Sequence, residues 1–225
     1  MALTEYKRKR HFDDTPEPTG GNAHAGKLHF VVQKHAASHL HYDFRLEMQG
    51  VLKSWAVPKG PSLDPDVKRL AMMVEDHPYN YRTFEGIIPE GNYGAGTVII
   101  WDEGTYEPEE GTSTDKKKQE KSLLHQLNQG ALKIILHGKK LKGSFALVKT
   151  SGYHENSWLL MKHRDKYASQ NDITEKAHSV KSDLTVEEVA TKSKSVWHSN
   201  RAAKIKKKAT PKATASAGKK KALKK

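Results

Sequence analysis

The ten residues HLHYDFRLEM, at positions 39–48, alternate between apolar and polar side chains almost without a break. Side chains of a β-strand point to opposite faces with a period of two. This segment therefore predicts a strand with one apolar face and one face of imidazole, carboxylate and guanidinium groups. The two sets are Leu40, Tyr42, Phe44, Leu46 and Met48 on one parity, and His39, His41, Asp43, Arg45 and Glu47 on the other.

Short runs of the same kind, separated by turn signals, follow one another along the chain. We predict strands at residues 28–34, 39–48, 51–57, 69–75, 97–101, 131–137, 142–149 and 157–162. The Gln49-Gly50 pair between two of these runs indicates a hairpin. Trp55, Trp101 and Trp158 lie within the runs and are expected to be core residues.

Only one segment, KKKQEKSLLHQLNQG, has the pattern of a clear helix. Leu123, Leu124 and Leu127 form a short apolar stripe, and Gly130 is a natural stop. Many strands and one short helix predict a mainly β fold, a compact antiparallel β-barrel-like single domain.

The net charge of +13 is spread unevenly over the 225 residues. Residues 201–225 contain one arginine, ten lysines and no acidic residue, whereas the first 200 residues carry 28 basic and 26 acidic groups. We predict a flexible N-terminal arm at 1–26, a folded domain at 27–168, a polar linker at 169–200 and a Lys-rich tail at 201–225. A weak helix is expected near LTVEEVA in the linker.

The composition of the tail leaves almost nothing to bury, so we expect it to be disordered. Its expected partner is the nucleic-acid backbone, bound through counterion release and without sequence preference. A solubilising terminus is the alternative. A membrane surface is disfavoured, because no large apolar anchor accompanies the charge.

Cysteine is absent from the sequence, which excludes disulfides and thiolate metal sites. The first residues, MALTEYKRKRHF, lack the apolar stretch of a signal peptide, and no run is long enough to span a bilayer. We therefore expect a cytoplasmic, nucleoid-associated location.

The polar face of residues 39–48 contains a possible metal site. Residues two apart on a strand lie on one face about 7 Å apart, so His41 and Asp43 can converge on one ion. His35, in the preceding run HFVVQKH, joins them if the two strands are neighbours. Two imidazoles and one carboxylate suit Mn²⁺, Fe²⁺ or Zn²⁺. The same spacing also occurs on ordinary solvated strands.

Nearby residues favour a phosphoester site over a solvated surface. Arg45 offers a planar fork of donors suited to phosphate. His77, in VEDHPYNY, lies at a loop edge, and Lys59, in WAVPKGPS, lies in a rigid turn. We expect His39 to be exposed and to take no part in the site. The glycines of IPEGNYGAGTV are expected to serve turns and packing, since no helix follows them.

Long stretches of the chain resemble the phosphoesterase domain of bacterial DNA ligase D. The similarity covers about residues 28–168 and includes FVVQKHAASHLHYDFRLEMQGVLKSWAVPKGPS, EDHPYNYRTFEGIIPEGNYGAGTVIIWDEGTYEP, LHGKKLKGSFALVK and SWLLMKHRDKYA. The N-terminal EYKRKRHFDDTPEP is similar to the arm of that family. Because no ligase or polymerase sequence follows, the chain resembles the stand-alone members.

The resemblance implies a Mn²⁺-dependent enzyme that removes 3′-terminal ribonucleotides and 3′-phosphates from primer-template ends. A 3′-hydroxyl then remains for repair of the non-homologous end-joining type, with Ku and a separate ligase or polymerase as possible partners. By family position, the resemblance implies that the metal ligands are His35, His41 and Asp43. It implies that Arg45 and His77 engage the scissile phosphate. Further implied active-site positions are Gln33, Lys59, Arg69 and Tyr81.

Positions in the arm also match the family. Arg10 and Glu17 match functional positions, while His11 stands where relatives usually carry Asp, which puts the diesterase step in question. In the implied chemistry, Arg45 offsets charge on the phosphate. His77 stabilises that charge or donates a proton to the leaving oxygen.

Two other functions compete with this interpretation. A non-catalytic nucleoid-associated DNA-binding protein explains the tail but leaves the His/Asp/Arg face unused. An Fe²⁺ oxygenase explains the two His and one carboxylate but not Arg45, His77 and Lys59 nearby.

Overall fold

A computed structural model describes residues 3–22, 26–111, 113–151 and 154–192. The predicted tail, residues 201–225, and the end of the predicted linker lie outside the described residues. Nine strands are present in these ranges: β1 Leu28–Ala36, β2 Leu40–Met48, β3 Val51–Val57, β4 Lys68–Pro78, β5 Gly86–Ile88, β6 Gly96–Pro108, β7 Ala131–Gly138, β8 Lys142–Lys149 and β9 Ser157–Lys162.

The described helices are short. The α-helices are α1 Thr4–Arg8, α2 Lys116–Gln129 and α3 Val186–Lys192, and the 3₁₀ helices are Tyr79–Thr83 and Ile173–Glu175. The predicted helix is confirmed as α2: the Asp115 side chain caps its start, and Gly130, at φ 77°, ends it. No described helix has both the length and the apolar character required to cross a membrane.

The strands form a closed antiparallel barrel, as predicted. Neighbours follow the order β1-β2-β3-β4-β9-β8-β7-β6, and pairing of β1 with β6 closes the ring of eight strands. The short β5 adds to the first residues of β6. The predicted hairpin between β2 and β3 is present, with Gln49 at φ 52° and Gly50 at φ 76°.

The apolar parity of β1 and β2 faces the barrel interior. Phe30, Phe44 and Trp55 belong to its core, together with Trp101 and Trp158, and all five are buried. The polar parity of β2 therefore faces outward. It is nevertheless covered, because Asp43, Arg45 and Glu47 are buried as well.

The N-terminal segment supplies part of this cover, which corrects the prediction of a flexible arm. Tyr6 of α1 is fully buried, and its hydroxyl donates to the Pro18 carbonyl at 2.6 Å. Tyr6 packs with residues of the 3₁₀ helix Tyr79–Thr83 and its surroundings in a second apolar cluster. A single buried aromatic residue in a polar stretch gave no periodic signal.

Residues 169–192 are also packed, although a polar linker was predicted. Ile173 is part of the barrel core, and Val186 and Val189 of α3 pack against Ile99 of β6. The expected weak helix near LTVEEVA is confirmed as α3. These isolated apolar residues bury themselves only because the barrel offers them a surface.

The glycine-rich loop before β6 has turn and packing roles, as expected. Gly91 and Gly94 have positive φ angles, of 86° and 73°. A Cβ at Gly96 would lie 2.2 Å from the carbonyl oxygen of Ala36, so only glycine allows β1 and β6 to approach here. The sequence prediction of 97–101 was too short for β6, because its second half, DEGTYEP, is polar.

We predict that Gly96→Ala destabilises the barrel much more than Gly86→Ala. Both glycines have similar φ angles, 147° and 154°, but a Cβ at Gly86 meets nothing within 4 Å. Gly86→Ala should therefore cost about 1–3 kcal/mol of backbone strain alone. Urea unfolding of both variants measures the difference. Equal losses would show that the approach to Ala36 is not tight.

Candidate active site

The pairing of β1 with β2 brings three potential metal ligands together, as the sequence predicted. His35 lies directly opposite His41. His35 Nδ1 is 3.6 Å from Asp43 Oδ2, and His41 Nε2 is 3.7 Å from Asp43 Oδ1. One ligand atom of each residue lies within 4.8 Å of the other two. Within the described ranges, this is the one cluster of His and acidic residues with metal-binding spacing.

Backbone carbonyls fix the orientation of both imidazoles. His35 Nε2 is 2.9 Å from the Gly94 carbonyl oxygen, and His41 Nδ1 is 2.9 Å from that of His39. Because a carbonyl can only accept, these ring nitrogens carry the hydrogens. The lone pairs of His35 Nδ1 and His41 Nε2 are therefore directed toward Asp43. Such hydrogen bonds commonly orient metal-ligating histidines.

Asp43 is buried and negatively charged. Burial alone would raise the pKa of its carboxyl, but the Arg45 guanidinium holds that pKa well below its usual range. Two lone pairs and a carboxylate thus converge on one point. This donor set fits a divalent cation such as Mn²⁺, Fe²⁺ or Zn²⁺.

Arg45 is held rigidly by residues from three strands. Its Nε donates to Gln33 Oε1 at 2.8 Å, Nη1 to Ser54 Oγ at 2.9 Å and Nη2 to Asp43 Oδ2 at 2.9 Å. The guanidinium also lies 4.9 Å from the centre of the Tyr81 ring. Arg45 therefore has one geometry beside the metal-ligand group.

Gln33 acts behind the site rather than in it. Its side chain is fully buried, and its amide donates to the carbonyls of Tyr81 and Phe84 at 3.1 and 2.8 Å. These bonds attach the 3₁₀ helix Tyr79–Thr83 to β1. Gln33 thus positions both Arg45 and the Tyr81 ring.

The N-terminal segment contributes a second buried arginine. Arg10 donates from Nε to Glu17 Oε1 at 2.7 Å and from Nη1 to Glu75 Oε1 at 3.1 Å. The Tyr81 hydroxyl donates to the same Glu17 oxygen at 3.0 Å. Glu17 therefore links the arm to the 3₁₀ helix, and Arg10 reaches the site from above β4.

His77 is a neutral imidazole in this environment. Burial, together with the charges of Arg45 and Arg10, lowers its pKa well below the usual value. Its Nδ1 donates to the Glu75 carbonyl at 2.9 Å, so the lone pair is on Nε2. Arg10 Nη2 donates to that nitrogen at 3.2 Å.

These groups open into one cleft of about 260 Å³. Of the residues singled out from the sequence, the ones that line it are Arg10, His35, His41, Asp43, Arg45, His77 and Tyr81. Gln33 and Glu17 lie directly behind them. The outer rim includes Ser38, Tyr93 and Gly94.

Three further predicted site residues lie neither in this lining nor directly behind it. Lys59 is exposed in the turn after β3, His11 is exposed after α1, and Arg69 lies opposite Leu160 in the β4–β9 pair. His39 is exposed on the β1–β2 turn, where only its carbonyl contributes. Glu75 and Tyr93 were not predicted from the sequence. Both contact Arg10 of the N-terminal segment, and the packing of that segment against the barrel was not expected.

Comparison with known proteins identifies close relatives. A family model of the DNA Ligase D 3′-phosphoesterase domain matches residues 33–149. The multifunctional non-homologous end joining protein LigD of Pseudomonas aeruginosa is 48% identical over 192 residues, which are 82% of this chain and 22% of that protein.

Two other proteins named LigD have similar relationships to the chain. The Mycobacterium bovis protein is 43% identical over 175 residues, which are 77% of this chain and 21% of that protein. The Mycolicibacterium smegmatis protein is 40% identical over 171 residues, which are 73% of this chain and 21% of that protein. The chain thus spans about a fifth of the length of these relatives.

We predict that His77 makes the protein less stable at acidic pH. The unfolded state takes up a proton as the pH falls through about 6.5, whereas native His77 resists it, so stability falls below that pH by up to ~1.4 kcal/mol per unit. His77→Gln should flatten the dependence of the free energy of unfolding on pH between 7 and 5. The measurement is urea unfolding with a chelator present.

The control for this measurement is His39→Gln, which removes an exposed imidazole. This variant should keep the wild-type pH dependence. An equally steep loss of stability in His77→Gln would contradict the assignment of a neutral, buried His77.

Proposed function

The chain belongs to the DNA ligase D 3′-phosphoesterase domain family, and from this premise we propose that it is a metal-dependent phosphoesterase of DNA 3′ ends. The proposed reactions are removal of a 3′-terminal ribonucleotide and of a 3′-phosphate, which leaves a 3′-hydroxyl for end joining. The observation that carries the proposal is the buried Arg45 held 2.9 Å from Asp43, one member of the metal-ligand group. A cation site and an anion-binding group thus share one cleft.

We assign the metal to His35 Nδ1, His41 Nε2 and Asp43, with Mn²⁺ as the expected ion. The convergent lone pairs and the charged carboxylate support this assignment. When bound, a divalent ion would supply Lewis acidity toward a phosphate oxygen and an attacking water.

Arg45 is the residue proposed to hold the scissile phosphate. A guanidinium has five N–H donors, and contacts among the described residues engage three of them. Two donors therefore remain for phosphate oxygens. Because Gln33, Ser54 and Asp43 fix the group in advance, it offsets developing charge without reorganising.

His77 receives a different role from the one expected from the sequence. Its Nε2 is a hydrogen-bond acceptor in the resting site, so it has no proton there to give to a leaving oxygen. We infer that His77 Nε2 accepts a hydrogen bond from Arg10 and thereby orients the Arg10 guanidinium. Among the described arm residues, Arg10 lines the cleft and Glu17 positions it, whereas His11 is exposed and outside the lining.

The wider cellular setting is also a proposal. The relatives are named as multifunctional non-homologous end joining proteins. We propose DNA primer-template ends as the substrate and a nucleoid-associated location. Ku and a separate ligase or polymerase are the expected protein partners. The Lys-rich tail at 201–225 is proposed to add sequence-independent DNA affinity.

We predict that the protein shortens a labelled primer-template ending in one 3′-ribonucleotide when Mn²⁺ is present and not when a chelator is present. The shortened product should then lose its 3′-phosphate. Gel electrophoresis resolves both steps. An intact primer that only shifts on a native gel would support the non-catalytic DNA-binding alternative, and oxygen uptake with a 2-oxoacid would support the oxygenase.

We predict that His41→Ala weakens Mn²⁺ binding by at least about tenfold, because one of three ligands is lost. Calorimetric titration and the electron paramagnetic resonance signal of free Mn²⁺ measure binding without any reaction. His39→Ala is the matched control, since it removes an exposed imidazole two residues away. Equal affinities in the two variants would contradict the ligand assignment.

A further inference from the structure

Three lysines meet at the end of the barrel where β1 ends. Lys34 belongs to β1, Lys140 lies in the turn between β7 and β8, and Lys176 follows the 3₁₀ helix Ile173–Glu175. We name this group the lysine cluster. Its members are close together: Lys140 Nζ is 2.8 Å from the Lys176 carbonyl oxygen. Burial, opposed by the charge of Asp102 and assisted by the charges of Lys34 and Lys176, lowers the pKa of Lys140 to about 8.

Two aromatic rings, those of Tyr42 and Trp101, lie beneath the ammonium groups of the lysine cluster and form its floor. Lys34 Nζ is 5.9 Å from the centre of the Tyr42 ring, and Lys140 Nζ is 4.6 Å from that of Trp101. The two rings contact each other edge to face, with centroids 5.2 Å apart. An apolar floor excludes water from one side, which strengthens the interaction of these ammonium groups with an anion.

Among the described residues, no carboxylate is hydrogen-bonded to an ammonium group of the cluster, although the charge of Asp102 acts on Lys140. Lys140 Nζ donates to two neutral acceptors, the carbonyls of Lys176 and His178, at 2.8 and 2.6 Å. The nearby Asp102 carboxylate accepts instead from the backbone N–H groups of residues 139–141. On α3, Glu187 feels the charge of Lys34. No ion pair forms between the cluster and a carboxylate in the described ranges.

The cluster adjoins the candidate active site. Lys34 and His35 are consecutive in β1, so their side chains leave opposite faces of the same strand. The β1–β2 turn, with exposed Ser38 and His39, lies at the end of both faces. A nucleic-acid strand that contacts both sites must therefore pass around this end of the sheet. Each strand of a duplex carries a phosphate per ~3.4 Å of rise, so a few nucleotides cover such a path.

We propose that the lysine cluster is a second phosphate-binding site, which holds the backbone of the nucleic-acid strand whose 3′ end enters the cleft. The assignment of a strand end to the cleft rests on the proposed function. Lys176 is exposed, and Lys34 and Lys140 are half-buried, so phosphate oxygens can reach all three. Ammonium groups act as point charges without base-reading geometry, and the binding is therefore independent of sequence.

The test is the salt dependence of DNA affinity for the full chain, with a chelator present so that no cleavage occurs. Fluorescence anisotropy with a labelled primer-template gives log Kd against log salt. Lys34→Gln and Lys176→Gln should each weaken binding at low salt and reduce the slope by about 0.9, the loss of one phosphate contact. The reduction should be the same for primers of different sequence.

Lys121→Gln is the matched control. Lys121 is an exposed lysine of α2, the helix whose Glu120 accepts from the Gln49 backbone at the opposite end of the barrel. Its replacement should leave affinity and slope at the wild-type values. Lys140→Gln also removes two hydrogen bonds to the 176–178 backbone, so the Lys34 and Lys176 variants, with unfolding curves matching the wild type, decide the outcome.

An unchanged slope in Lys34→Gln and Lys176→Gln would overturn the proposal, and so would weaker binding with the slope of the wild type. The cleavage assay with Mn²⁺ separates this proposal from the proposed function. The wild-type chain could fail to cleave any 3′ end while the two variants show a reduced slope of log Kd against log salt. In that case the proposed phosphoesterase function is wrong, and the lysine cluster is still a phosphate-binding site.

Discussion

The site depends on one interaction, the buried guanidinium of Arg45. Its three hydrogen bonds join β1 through Gln33, β2 through Asp43 and β3 through Ser54. Gln33 also donates to the carbonyls of Tyr81 and Phe84. The residues that hold Arg45 therefore also fix the position of the 3₁₀ helix Tyr79–Thr83 over the sheet. A buried cation is costly unless fully paired, so every partner of Arg45 constrains the others.

This arrangement places the chemistry on the outside of the barrel, beneath a cover. The barrel interior is filled with apolar side chains of the core. The cleft lies instead between the outer face of β1 and β2 and the layer made by the N-terminal segment and the glycine-rich loop. Burial by this layer, together with the charges of Arg45 and Arg10, keeps His77 neutral, whereas the Arg45 guanidinium keeps Asp43 charged despite its burial.

The sequence predicted the barrel and the proximity of His35, His41 and Asp43 because both follow from local rules. Alternation in β2 defines a face, and pairing of neighbouring strands places His35 opposite His41. The docking of Tyr6, the role of Glu75 and the positions of Lys59 and Arg69 depend on contacts between residues far apart in sequence. The Arg10–His77 contact, for example, spans 67 positions. The periodic pattern of apolar residues in a sequence carries no information about such a contact.

Closure of the ring by β1 and β6 also limits how another protein can join this domain. Where a strand of the ring is paired on both sides, its backbone cannot accept an extra strand from a partner. In the described part of the chain, the three-residue β5 pairs only with β6 and leaves one short edge free. Along the stretches that are paired on both sides, recognition by a partner must therefore use side chains and turns.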